Sequence, residues 1–289
     1  MFVVLLQCVS PRVPVASDAG AEVETIPFTL TSANNLSIRA KLDERHQVNL
    51  MFHTAVSGVS LTKTAVDELG VAMDQSATIT SWGGQAASRY GTGHHLRIGD
   101  RSWDGIAITE DMHSGPGTHG KFGPDLFLPS VIEVDFDASV LRLHAALPEL
   151  APSFAPVAID VVDGNVLVEA AVIIAGAKHT HRFLVHSGFG GTLLFDDAIV
   201  RRLALDRKLR VVGESQLRDS IGNVLTTKRV RVPGLELGQT TLRDVEAALF
   251  AGAIGQRQMS VLGASILSRF KIVLDLPGAQ MFLQPRASV

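Results

Sequence analysis

The chain has 289 residues, 46% of them hydrophobic and 19% charged, and a formal net charge of −3. That balance excludes a disordered chain, and the lack of any Lys/Arg run or basic stripe excludes a nucleic-acid partner. The one cysteine, Cys8, excludes an intrachain disulfide.

In chain order, residues 1–24 read as a leader. The apolar run Phe2–Leu6 leads through Cys8 to small residues around Val15-Ala16-Ser17, as in a shortened secretory signal. The expected location is therefore periplasmic or secreted, and otherwise cytoplasmic. The run is too short to cross a bilayer and no later segment is long enough, so no transmembrane span is expected.

From residue 25 one pattern is stated twice, with a period of about 130 residues, far beyond the roughly 20–50 of a solenoid. The first copy, residues 25–147, holds Met51-Phe52-His53-Thr54-Ala55, the short strand Val59-Ser60-Leu61 and the short helix Ala65–Leu69. The second copy, residues 157–289, holds Leu184-Val185-His186-Ser187-Gly188, then Thr192-Leu193-Leu194 and Ala198–Leu203. Further on, His95–Gly99 matches Gly234–Gly238, each followed by an apolar strand, Ile106–Ile108 and Val245–Ala248. Their alternation predicts half-buried hairpin strands. Each copy closes alike, with Phe122-Gly123 or Leu262-Gly263 before a short helix and a terminal hairpin. Residues 148–156, rich in Pro and Ala, read as the linker. The expected fold is all-β: two duplicated lobes with short helices.

These residues resemble the pepsin-like and retropepsin-like aspartic peptidases, above all the bacterial two-lobe retropepsin-like proteins. In that family each lobe carries apolar-apolar-Asp-Thr/Ser-Gly and a late apolar-apolar-Gly. The resemblance implies acid-protease-like β-barrel lobes around a central cleft, with His53 and His186 in the two catalytic positions and Thr54, Ser187 and Gly188 supporting their loops. It also implies hairpin flaps, placing Trp82, Gly83 and Gly84 in one substrate-binding tip and Ile221 and Gly222 in the other. Ala55 departs from the pattern by putting a Cβ where the motif has glycine.

The family chemistry needs two carboxylates about 3 Å apart that share a proton. Here both positions are histidine. Asp196 and Asp197 open a short helix, where they read as caps, and Asp67 and Glu68 read as a solvated helix face. The expected function is therefore a fold without its dyad, binding a peptide or small-molecule ligand and hydrolysing no peptide bond. One alternative is a hydrolase that uses the His53/His186 pair, alone or with a divalent metal; another is a residual aspartic-type endopeptidase. No cofactor is required by the leading reading. The metal alternative takes zinc on His53 and His186, half of a zinc ligand set, with His94, His95, His113 and His119 as candidate partners. None of these has diagnostic spacing, and together with His179 and His181 they read as surface or satisfied side chains.

Overall fold

A computed structural model describes residues 23–81, 84–250 and 259–287. Most of the expected leader, Cys8 included, lies outside the described residues, as do Trp82 and Gly83. The first half contains β1 (Glu24–Leu30), β2 (Leu36–Leu42), β3 (His46–Phe52), β4 (Val59–Thr62), α1 (Lys63–Leu69), β5 (Gln75–Ser81), β6 (Gly84–Ile98), β7 (Arg101–Asp111), β8 (Gly120–Phe122), β9 (Val131–Asp135) and β10 (Val140–His144). The second contains β11 (Ala155–Val162), β12 (Asn165–Ile174), β13 (Ala177–His186), β14 (Leu193–Phe195), α2 (Asp197–Leu203), α3 (Leu205–Lys208), β15 (Val211–Arg218), β16 (Val224–Leu237), β17 (Thr240–Phe250), β18 (Ser260–Gly263), α4 (Ala264–Leu267), β19 (Phe270–Asp275) and β20 (Gln280–Pro285).

Each half closes a barrel by the same pairing scheme. In the first, β2 pairs with β3, β3 with β8, β8 with β4, β4 with β7, β7 with β6, and β6 returns to β2. In the second, the ring runs β12, β13, β18, β14, β17, β16 and back to β12. The two parallel pairings in each ring fall at the same places. β3 runs parallel to β8 as β13 does to β18, and β4 to β7 as β14 does to β17. Closure leaves no unpaired edge within the ring.

A third sheet joins the halves, in the antiparallel order β1, β10, β9, β19, β20, β11. Its centre is the β9–β19 pairing, with Ile132 opposite Leu274 and Val134 opposite Ile272. The chain segments 25–147 and 157–289 thus share one sheet. Ala155 and Pro156, at the end of the expected linker, already pair with Leu283 and Phe282. On this sheet Lys271 of the second half reaches Glu133 and Asp135 of the first, both at 3.0 Å.

Alternation builds the cores. Val48, Leu50 and Phe52 of β3 point into the first barrel, where Phe52, Phe122 and Phe127 rings lie 5.5 to 6.3 Å apart. Phe183 and Phe195 pack at 6.0 Å in the second. The helix after β4 is capped by Thr62 Oγ1, which accepts the Ala65 N–H, and ends on Gly70 in the left-handed region. Asp196 caps α2 by accepting the Ala198 and Ile199 N–H groups, as expected from its place at the helix start.

The late glycines of both repeats mark close backbone approach. A Cβ on Gly263 would stand 2.3 Å from Gly191 O and 2.5 Å from the Phe189 ring, and one on Gly123 would stand 2.3 Å from Val56 O. Gly263→Ala and Gly123→Ala should each lower stability by about 1–3 kcal/mol. A fall in the urea midpoint at unchanged m-value checks this; an unchanged midpoint would show that the approach is relaxed at no cost.

Candidate functional site

The site forms where β3 and β13 end. The His53 N–H donates to Phe122 O at 2.9 Å, and His186 stands opposite Gly263 on β18. Directly after each histidine, a hydroxyl residue crosses to the other lobe. Thr54 Oγ1 donates to Val185 O (2.7 Å) and accepts the Ser187 N–H (3.0 Å). Ser187 Oγ donates to Phe52 O (2.8 Å) and accepts the Thr54 N–H (3.0 Å). All four bonds are buried. A hydroxyl is suited to this because it donates and accepts at once. Asn35 adds a further interlobe bond, its Nδ2 donating to Ser187 O at 2.9 Å.

The clamp sets the two imidazoles side by side. Their ring centroids are 4.5 Å apart with planes inclined at 57°, and both rings are buried. His53 Nδ1 accepts the Ala55 N–H at 3.1 Å, which puts the proton of the neutral ring on Nε2. Burial, the neighbouring His186 and the Lys121 ammonium hold the His53 pKa well below the ordinary 6.5. The ring is therefore neutral at physiological pH. Its Nε2 edge lies over Gly188, where a Cβ would come within 2.2 Å of it. Gly188 thus makes room for the partner lobe's histidine.

A cavity of about 460 Å³ opens above the pair. Its lining brings together His53, His186, His113, Lys121, Arg218 and Asp219 from both halves. Lys121 and Asp111 form a buried pair at 3.0 Å, and Asp111 also accepts a hydrogen bond from Ser60 Oγ. Asp219 is the one acidic residue in the lining, and it serves the hairpin that carries it. It accepts the N–H groups of Ile221 (3.1 Å) and Asn223 (2.7 Å) and the Asn223 side-chain amide (3.1 Å). That hairpin, between β15 and β16, reaches across to the first lobe. Ser220 O accepts the Met112 and His113 N–H groups at 2.9 and 3.2 Å, and Ser220 Oγ donates to Ser81 Oγ at 3.1 Å. Ser81 ends β5 and pairs with Gly84, so the described end of the first-lobe hairpin meets the second-lobe hairpin.

Five of the sequence-predicted positions, His53, Thr54, His186, Ser187 and Gly188, fall at this junction. His53 and His186 come together, and Thr54 and Ser187 support them from buried positions. Gly84, Ile221 and Gly222 are not among the residues lining the cavity, and the contact surface of the second hairpin is Gln216–Ser220 instead. Both belong to the turn of residues 219–223 that Asp219 closes with its hydrogen bonds. Trp82 and Gly83 lie outside the described residues. Of the other histidines, His94 is buried between Asp43 (3.0 Å) and Ala72 O (3.1 Å), and its neighbour His95 faces Asp104 and Glu44 at the surface. His119 Nδ1 accepts the Asn49 N–H, and His181 meets Ser260 and Asp196. Only His113 of the six joins the cavity. Two imidazoles are half of a zinc ligand set, and among the described residues no group of three His, Cys, Asp or Glu side chains stands close enough to hold a metal. Lys121, Asp111 and Asn35 escaped the sequence reading, because their roles depend on pairings between distant strands.

Two measurements follow. Thr54→Val and Ser187→Ala each strip one clamp hydroxyl and leave buried partners unmet, so each should cost about 1–3 kcal/mol of unfolding free energy. The double variant should lose less than the sum, because both hydroxyls belong to one network; strict additivity would show that the bonds act separately. Protonation sets the second. Below pH 6.5 the unfolded chain takes up a proton that folded His53 refuses, so stability falls as pH drops through that value. The contribution of this one ring is at most about 1.4 kcal/mol per pH unit. His53→Asn, which keeps an acceptor for the Ala55 N–H, should flatten the thermal-melt profile between pH 7 and 5; an identical slope would show that His53 protonates freely in the folded state.

No family model matches the chain, and no curated protein matches it either. Among solved structures it is similar to the aspartic proteinase from Irpex lacteus, at 12% sequence identity and a TM-score of 0.59, over 92% of this chain and 98% of that one. At that identity the likeness establishes the fold: two pepsin-like β-barrel lobes around a cleft.

Proposed function

We propose that this chain is a ligand-binding protein on the aspartic-proteinase fold, with no peptidase chemistry of the aspartic type. The observation that carries the reading is the pair of buried imidazoles, 4.5 Å apart, at the base of the cleft. Aspartic-type hydrolysis needs one ionised carboxylate to take a proton from water and one protonated carboxylate to donate to the scissile carbonyl. The only carboxylate among the described lining residues, Asp219, is engaged by its own hairpin. His53 does not supply the missing base. Its Nδ1 lone pair is taken by the Ala55 N–H, and Nε2 carries the proton, so the neutral ring keeps no free acceptor to serve as a base. Thr54, Ser187 and Gly188 hold the pair in place. An exported location is part of the same proposal and rests on the apolar leader. No helix among the described residues is long and apolar enough to cross a membrane.

Digestion of a peptide library from pH 3 to pH 8 tests the reading. The wild-type chain should release no new peptide termini at any pH. Cleavage that disappears in His186→Ala would overturn the proposal. His53→Asp with His186→Asp, introduced together, separates a lost dyad from a remodelled cleft. Acid proteolysis gained by that variant would show that the carboxylates alone are missing.

A further inference from the structure

The cleft differs from an open peptide groove in two ways that together define a ligand. The first is a bridge across it. The Asp219–Asn223 turn spans the opening and is fixed to the first lobe at three points, through the N–H groups of Met112 and His113 and the Ser81 hydroxyl. The half-open cavity beneath it, about 460 Å³, lies within the roughly 300–1,000 Å³ typical of small-molecule sites. An extended polypeptide would have to displace this crossing, whereas a small molecule fits beneath it.

The second is the sign of the groups left for a ligand to meet. His53 lines the cavity, with its ring proton on Nε2. Lys121 gives one contact to Asp111 and keeps two further ammonium donors. Arg218 lies on the roof hairpin with no carboxylate partner among the described residues, and His113 lines the same cavity as Arg218 and Lys121. The two acidic groups nearby, Asp111 and Asp219, have their oxygens occupied by Ser60 and Lys121 and by the hairpin amides. The formal charges nearly cancel, yet the hydrogen-bonding capacity turned inward is that of donors. Converging charged and neutral donors favour an oxyanion.

We infer that the cleft is a bridged, half-open site for a small molecule carrying a carboxylate or phosphate group, held between the histidine floor and the Lys121 and Arg218 side chains. This rests on the ligand-binding reading and narrows it to one chemical class. Benzoate, phenylphosphate and the neutral benzamide serve as probes, added to the full chain at constant ionic strength. Binding is read by calorimetry and by the imidazole ¹⁵N resonances of His53 and His186. Benzoate or phenylphosphate should shift both sets of resonances while benzamide does not, and whichever anion binds more tightly identifies the group. Arg218→Gln, an exposed substitution that leaves the core intact, should weaken that binding about tenfold or more. The inference is overturned if benzamide binds as well as the anions, if the anions leave both imidazoles unmoved, or if Arg218→Gln changes nothing. A peptide panel separates the two levels. Peptides that shift the imidazoles while the anions do not would overturn this inference alone; peptides hydrolysed in a His186-dependent manner would overturn the ligand-binding reading with it.

Discussion

Everything in the cleft depends on the exchange of hydroxyls between Thr54 and Ser187. Each takes both a carbonyl and an amide from the opposite lobe, and all four partners are buried. A buried amide without a partner costs more than a made bond returns, so the loops have little freedom to separate. The residue before each hydroxyl is thereby carried to the interface whatever its chemistry. The proximity of His53 and His186 is a consequence of this clamp and not of any attraction between the rings. The shared sheet supports it from below, because β9 and β19 are already paired across the halves.

Charge then decides what the junction can do. A carboxylate pair at such a distance relieves its repulsion by sharing a proton. An imidazole pair relieves it by staying neutral, and burial pushes His53 the same way. The ionised groups of the cleft lie further out, in the buried Lys121–Asp111 pair and in Arg218 on the roof. Isolating an ion pair from water is costly. Lys121 and Asp111 are held nonetheless, with Ser60 completing the carboxylate's contacts.

How much of this was legible in the sequence follows from the range of each interaction. The duplication was readable because apolar alternation, a tight turn and a late glycine recur in the same order, and each signal is local. The placement of His53 and His186 followed from the turn alone. Close approach explains Gly123 and Gly263, both visible as punctuation before a helix. Lys121 carried no such signal. It sits in Gly120-Lys121-Phe122-Gly123, and its partner Asp111 is delivered by the parallel register of β7 with β4, where Thr62 stands opposite Asp111. Asn35 belongs to a turn that meets the second lobe 152 positions later. The bridging of the cleft by Ser220 is likewise a matter of hairpin length and curvature, which composition does not express. Hence the sequence points to Ile221 and Gly222 as the tip, whereas Gln216–Ser220 of the same hairpin line the cavity.

The departure at Ala55 completes the argument, because it breaks the symmetry that the backbone keeps. Gly188 has no Cβ because the His53 ring occupies that space. At the equivalent turn of the first lobe, Ala55 carries a methyl group that packs against the second-lobe cluster containing Leu184, Phe189 and Leu194. Its amide meanwhile fixes the tautomer of His53. The two turns are therefore unequal: the His53 ring stands over Gly188, which has no Cβ, whereas Ala55 carries one. A related pair of barrels thus encloses an asymmetric floor. A polar molecule placed on that floor would meet different groups at its two ends, which two equivalent turns would not present.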